Sequence, residues 1–574
     1  MDPGLVLRPE PEPDTEDNVS LGGDVSTLRG TVRDGCAGGG RGQTDRLPRP
    51  RPSMDFEFGR LAARAVRAYR DRLQSTPPFE EKVGATWVLT TPNVSYSSTG
   101  ISRVIWTVCD TGEENMLAQT QAQRLVVVPG GALLRRASTL GATVRSQFPG
   151  LTPRGMEGAP PVFADGASGS QVHGSVVEAM SEQLRHGFAN VGGGYTTADN
   201  VGLTVDGTRS AMADFINCHP TEVAFGASMT ALTFHLARAL HNTPITLGPG
   251  DEVALDPLSH NANVSPWVQL ALRRGATVRW LPVVGSGAEC TLATEPADLA
   301  GVIVPGVTKL VAVGAASNGT GTVHDVARVC AAASDADALS FVDAVHYAPH
   351  HLIDVQKWRC DFLVCSPYKF FGPHSGVLFG RRGLFADLRA ERLELSDDGL
   401  PCESNGGMSR WELGTQNHEA LSGVRAAVEY LAGLGAQFGG ASAEAPRRER
   451  LAAGVRAIEE HEAELKGAFL EGVEAMADVR LLGVRASTAS QRGQPFARTP
   501  TFAIRKEGVE PDELARRLVE RGVWCTAGNH YAGLWSQHSG GLATTEGGGM
   551  ARLGFLHYNT CDEVERALAA LREV

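Results

Sequence analysis

Residues 339–376 read LSFVDAVHYAPHHLIDVQKWRCDFLVCSPYKFFGPHSG. Two short apolar runs, Leu339–Val342 and Phe362–Cys365, each end in polar chemistry: Asp343 after the first, Ser366 and Lys369 after the second. Runs this short, rich in β-formers, read as buried strands rather than helices. Asp343 and Lys369 stand 26 residues apart, about one strand–helix–strand step. Lysine heads usually snorkel to water, but Phe370, Phe371 and a Gly-Pro turn follow Lys369 at once, as in a chain bending back inside. Two plain readings stand beside any functional one. Lys369 is an exposed loop lysine, or it is the ion-pair partner of Asp343, which in a buried cleft requires good geometry.

The same texture extends both ways. Glu222–Gly226, Glu252–Asp256, Thr277–Leu281, Lys309–Val313 and Val377–Gly380 also read as strands, with helical patterns such as Ser175–His186 and Thr230–Leu240 between them. Alternation of this kind predicts an α/β fold, a large domain built on a mostly parallel sheet covered on both faces. Ligands of such sheets bind beyond the carboxyl ends of the strands, where the polar residues of this chain accumulate. After about Ser404 a long helical stretch, Arg447–Glu474, precedes short strands and a last helix, Cys561–Val574. This predicts a smaller α+β domain that also takes in residues 141–180, leaving 181–404 for the large one.

A chain of 574 residues needs more than one core. Its net charge of −12 argues against a mainly electrostatic nucleic-acid binder. No apolar run approaches the ~20 residues that span a bilayer, and no basic-then-apolar leader is evident, so the expected setting is cytoplasmic and off the membrane. The ten cysteines form no CxxC pair, which fits a reducing compartment and argues against a zinc site. Residues 1–140 carry no recognisable chemistry. Residues 1–55 are rich in Pro, Gly and charge, 56–75 could form an amphipathic helix, and Trp87–Leu89 and Leu125–Val128 carry strand signals.

Other strand ends add polar groups. FGASMT puts Ala227 and Ser228 at a strand-to-helix turn, where free N–H groups attract phosphate. DPLSHNAN supplies His260, a flat ring, and ASNGTGT supplies Asn318. Singly, Ser228 reads as a helix cap, His260 as a loop histidine and Asn318 as a turn residue. Together with a carboxylate and a lysine they match the needs of pyridoxal phosphate, whose aldehyde forms a Schiff base with a lysine and whose ring nitrogen is kept protonated by a carboxylate.

From about Ala142 onward the chain resembles the class V aminotransferase family of fold-type I pyridoxal phosphate enzymes, most of all its cysteine-desulfurase-like group. The resemblance implies that Lys369 is the Schiff-base lysine, Asp343 the partner of the pyridine nitrogen and His260 the ring stacked on the cofactor. It implies that Asn318 and His346 reach the phenolic oxygen and that Ala227, Ser228 and Ser366 hold the phosphate. In RWELGTQN, Thr415 would reach the cofactor of the other subunit in a homodimer, and in MARLGFLHYNT, Arg552 would bind the substrate carboxylate. The expected activity is that of a class V aminotransferase or carbon–sulfur lyase acting on a small amino acid, with Lys369 as general base.

The pattern departs from the cysteine desulfurases in CTAGNHYAG, where Tyr531 stands in place of a reactive cysteine. A phenol cannot carry a persulfide. Cys525, six residues earlier, and Cys402, elsewhere in the chain, are no obvious substitutes; a desulfurase using Cys525 or an external thiol, and a non-catalytic cofactor-binding protein, are the competing expectations. HYAPHH (His346, His350, His351) invites a metal-cluster reading that its proline and lack of acidic partners disfavour. The TEGGGM segment reads as a loop and, by position, as a lid.

Overall fold

The computed structural model describes residues 139–574 except 153–159, 242–246, 286–289, 385–387, 389, 392–410, 485–497 and 534–548, together with five strands in the preceding region. The helix expected over 56–75, the Pro/Gly-rich 1–55, Cys402 and most of TEGGGM lie outside the described residues.

Seven strands build the main sheet: β1 (Val223–Gly226), β2 (Glu252–Leu255), β3 (Thr277–Trp280), β4 (Thr308–Gly314), β5 (Leu339–Asp343), β6 (Phe362–Cys365) and β7 (Gly376–Gly380). Their order is β1-β7-β6-β5-β4-β2-β3. Only β7 runs against its neighbours. Both faces are covered, so the strands are apolar almost throughout. Register then decides where chemistry collects: Gly314 lies opposite Asp343, Asp343 opposite Val364, and Gly226 opposite Gly376. The carboxyl ends of β1, β4, β5 and β6 therefore open onto one edge.

A second sheet, β8 (Val479–Leu482), β9 (Thr501–Lys506), β10 (Thr526–Gly528) and β11 (Met550–Gly554), is antiparallel in the order β8-β9-β11-β10. The helices Arg447–Glu474, Pro511–Glu520 and Cys561–Glu573 contribute Phe469, Leu514 and Leu568 to its core. Arg552 sits mid-sheet, between Ala503 and Thr526. Val162–Phe163 pairs with Val523–Trp524, and the next residues run along β11, where Asp165 bridges Gly554. The chain from both ends of 139–574 thus meets in one layer. The helix His418–Gln437 buries Leu421, Val424 and Val428 in the same core as Phe371 and Phe379, beside the main sheet.

Residues 11–136 form a unit of their own. Its strands, Trp87–Leu89, Asn93–Ser97, Gly100–Asp110, Gln123–Val127 and Arg135–Arg136, make an antiparallel sheet. Among the described residues no helix is long and apolar enough to cross a membrane.

Candidate active site

Lys369 is buried in the turn after β6. Its Nζ donates to the carbonyls of Ala167, at 2.5 Å, and Ser168, at 2.7 Å. Burial pushes the amine down to about 7 and Arg552 adds to this, while Asp165 and Asp343 oppose it. An ordinary lysine is fully charged at neutral pH; this one is poised to gain or lose a proton. The exposed-loop reading fails.

Asp343, at the end of β5, is pushed up to about 6 by burial, against the Val345 N–H that donates to its Oδ1 at 2.9 Å and the charge of Lys369. Asp343 and Lys369 feel each other's field without a direct ion pair between them. His346 is buried, its Nε2 3.2 Å from Thr499 Oγ1, and desolvation holds it well below the usual imidazole range. His260 begins a short 3-10 turn, and its Nδ1 accepts the Ala262 N–H at 3.0 Å. Burial lowers it to about 4, with Lys369 and Arg552 adding, so its ring is neutral and flat.

Asn318 donates from Nδ2 to the His530 carbonyl at 2.7 Å, and its buried Oδ1 has no partner. Ser228 does cap the helix Met229–His241, accepting the Ala231 N–H on Oγ at 3.1 Å. Ala227 beside it is exposed. The turn lies so close to β7 that a Cβ on Gly376 would come within 2.3 Å of the Ser228 backbone, which is why β7 starts on glycine. Ser366 is buried, and its carbonyl accepts the Lys369 N–H at 3.0 Å.

Arg552 is buried, donating from Nη1 to the Asn318 carbonyl at 2.9 Å and from Nη2 to Ser168 Oγ at 2.6 Å, with Asp165 Oδ1 at 3.6 Å. Its Nε is buried without a partner. Thr415 is exposed in the loop before the helix His418–Gln437, and among the described residues no contact joins it to the others. In HYAPHH, His350 pairs through Nδ1 with both oxygens of Glu462, and His351 with Glu459 at 2.8 Å. These histidines tie the main sheet to the helix Arg447–Glu474.

Sequence reasoning missed Asp165, Ser168 and His530. The first two lie in FADGASGS, an apolar stretch ending in small residues, the same signature that exposed Ala227 and Ser228. Tyr531 was singled out, and His530 beside it was passed over.

The residues fit pyridoxal phosphate. A 13-residue helix presents its amino end and a hydroxyl at Ser228 for a phosphate. A buried carboxylate suits a pyridinium, a poised buried amine suits an aldehyde, and an orphaned Asn318 Oδ1 awaits a polar partner.

The comparisons agree. The family model described as aminotransferase class-V matches residues 162–567. Among curated proteins, the aminotransferase-like protein FGM3 of Gibberella zeae is 29% identical over 437 residues, covering 75% of this chain and 97% of that protein. A cysteine desulfurase of Enterobacter sp. strain 638 is 28% identical over 450 residues, covering 75% and 97%. The apo structure of the cysteine desulfurase from Thermococcus onnurineus NA1 superposes with a TM-score of 0.62 at 25% identity, over 77% of this chain and 98% of that one. The Escherichia coli desulfurase CsdA shares the fold, with a TM-score of 0.58 at 24% identity. Enzymes of this kind use pyridoxal 5′-phosphate and adopt the fold-type I architecture seen here. The chain belongs to the class V aminotransferase family and is a pyridoxal-phosphate-dependent enzyme of its cysteine-desulfurase-like group.

Proposed function

We propose that this enzyme acts on a small amino acid by removing the proton from its α-carbon, in an aminotransferase or carbon–sulfur lyase reaction and not by persulfide-forming desulfuration. The observation that carries the choice is the loop after β10. It presents His530 and Tyr531, whose side chain is 69% exposed, and no thiol. Cys525 is 7% exposed, and burial pushes its thiol up to about 12, so it holds too little thiolate to accept sulfur.

Bound pyridoxal phosphate supplies an electron-withdrawing ring that makes the α-proton removable. The chain's own residues do the rest. Ala227, Ser228 and Ser366 hold the phosphate at the helix end, and Asp343 supplies the negative charge for the ring nitrogen. His260 provides the flat face, while Asn318 and His346 serve the phenolic oxygen. Arg552 receives the substrate carboxylate on its unpartnered Nε edge, and Lys369, near neutrality, takes the proton at Nζ.

A homodimer goes with this reading. Phe188, Val191, Tyr195 and Leu203 are exposed along one stretch, and Leu413 beside Thr415 is exposed too. Large apolar groups left open in this way support burial against a second copy, whose site Thr415 would complete. Light scattering should give twice the chain mass. A monomer with full activity would overturn the shared site.

The deciding experiment is the visible absorption spectrum of the protein supplied with pyridoxal phosphate, beside Lys369→Ala. A yellow band that borohydride bleaches, and that the variant lacks, is expected. The band then serves to screen amino acids, with keto-acid-dependent amino transfer or β-elimination as the expected outcomes. Sulfide release from cysteine only in the presence of a reductant would favour a desulfurase with an external thiol, the second reading that the desulfurase relatives support. A colourless protein would leave a non-catalytic binding protein.

A further inference from the structure

Between Val162–Phe163 and the helix Gly174–Arg185 the chain forms a strap, Asp165–Gly169, that touches both working cations of the site. The carbonyls of Ala167 and Ser168 take Lys369 Nζ, and the Ser168 hydroxyl takes Arg552 Nη2. The strap is held at its base by Asp165. Its Oδ1 accepts from Ser168 Oγ at 2.7 Å and from Thr526 Oγ1, on β10, at 2.9 Å. Backbone bonds add to this: Gly166 N–H donates to the Gly554 carbonyl and Gly554 N–H to the Ala164 carbonyl. A Cβ on Gly166 would meet Leu556 at 2.7 Å, so the strap lies flat on β11.

We propose that this strap is the cradle that orients the Lys369 amine for proton transfer, with Asp165 as its positioning residue. A neutral amine has two N–H donors and one lone pair. Two carbonyls consume both donors, and the lone pair is left with one direction. When that lone pair takes the α-proton, the C–H bond breaks, an N–H bond forms and its electron pair stays on the substrate carbon. The same carbonyls then stabilise the ammonium produced. Because Ser168 also holds Arg552, one segment fixes the base relative to the receptor of the substrate carboxylate. The tolerance for misplacing such groups is small, since a shift on the order of 1 Å can lose ~10²-fold in rate.

The inference rests on Lys369 being the cofactor's lysine, but its test does not require the cofactor. In the cofactor-free protein, the rate at which trinitrobenzenesulfonate labels Lys369 is followed against pH by peptide mapping. The wild-type midpoint is expected near 7. Asp165→Asn removes a negative charge and loosens the carbonyls; both disfavour the ammonium, so the midpoint should fall by roughly 0.5 to 1 pH unit. Thr526→Val leaves the charge and loosens only the anchor, and should lower the midpoint by a smaller amount. With the cofactor supplied and a substrate found by the screen, both variants should lose kcat about tenfold or more while KM moves less. A residue that only stabilises the fold would lower the melting temperature and leave the midpoint in place. Midpoints within about 0.2 unit of wild type in both variants would overturn the proposal. If Asp165→Asn does not fold, Thr526→Val decides alone. A shifted midpoint in a protein that never turns yellow would sustain the cradle and sink the enzymatic reading.

Discussion

The inner end of the site and its mouth are built on opposite terms. At the inner end Asp343, His346 and Lys369 are buried, and each is moved from its ordinary pKa by desolvation first; neighbouring charge comes next at His346 and Lys369, the opposing Val345 N–H at Asp343. At the mouth Ala227, Ser168, Thr415 and Tyr531 are exposed. The turn at His530 and Tyr531 is nonetheless held in place. His530 and Tyr531 both take left-handed backbone, with φ of 50° and 60°, which costs on the order of 1 kcal/mol or more for each side-chain-bearing residue. The loop is pinned against that strain: Asn318 Nδ2 donates to the His530 carbonyl, and the Asn261 N–H donates to that of Tyr531 at 2.8 Å. Burial at the inner end prepares chemistry common to any amino acid carried by the cofactor. On the proposed reading, the clamped, open turn at His530–Tyr531 is where the reaction outcome would be decided.

The hardest blow to that division falls on Asp343. Asp343→Asn keeps the shape and the Val345 hydrogen bond but cannot supply a negative charge to the ring nitrogen. The loss in kcat/KM should be on the order of 10²–10⁴-fold, while the yellow band and its borohydride bleaching persist because Lys369 is untouched. Steady-state rates with any amino acid that passes the screen check this. A loss below about tenfold would mean the inner end does not govern the chemistry.

The inner end was also the more legible part of the sequence. A buried parallel strand is a short apolar run, and its carboxyl end is marked by the first polar residue. The runs Leu339–Val342 and Phe362–Cys365 therefore fall on the observed strands Leu339–Asp343 and Phe362–Cys365, with Asp343 at the end of the first and Lys369 just past the second. Ser228 and His260 were legible as types, because a cap and a flat ring are local features. Arg552 came by resemblance and not by pattern: strand Met550–Gly554 is buried throughout, and nothing local says that its arginine meets Asn318, Ser168 and Asp165. Those contacts join residues more than two hundred positions apart, and single-sequence periodicity carries no information on them. The strap was unread for the same reason. Its role lies in backbone carbonyls, which every residue has, and only the fold shows where they point.

At the mouth the expected effects are smaller, and Tyr531 sharpens the contrast most. Tyr531→Phe removes one hydroxyl from a largely exposed ring and keeps the aromatic face, 5.3 Å from the His260 ring, and the backbone clamp on Asn261. An exposed hydrogen bond is worth roughly 0.5–1.5 kcal/mol, so kcat/KM for the best substrate should fall by less than about tenfold. The ranking of substrates is the more sensitive readout, because on the proposed reading the phenol borders the space beside the His260 ring that a substrate would enter. Rates for a panel of amino acids, wild type against Tyr531→Phe, should reorder without collapsing. A loss as large as that of Asp343→Asn would show that the phenol itself moves a proton in the reaction, and the mouth would then belong to the catalytic machinery rather than to substrate choice.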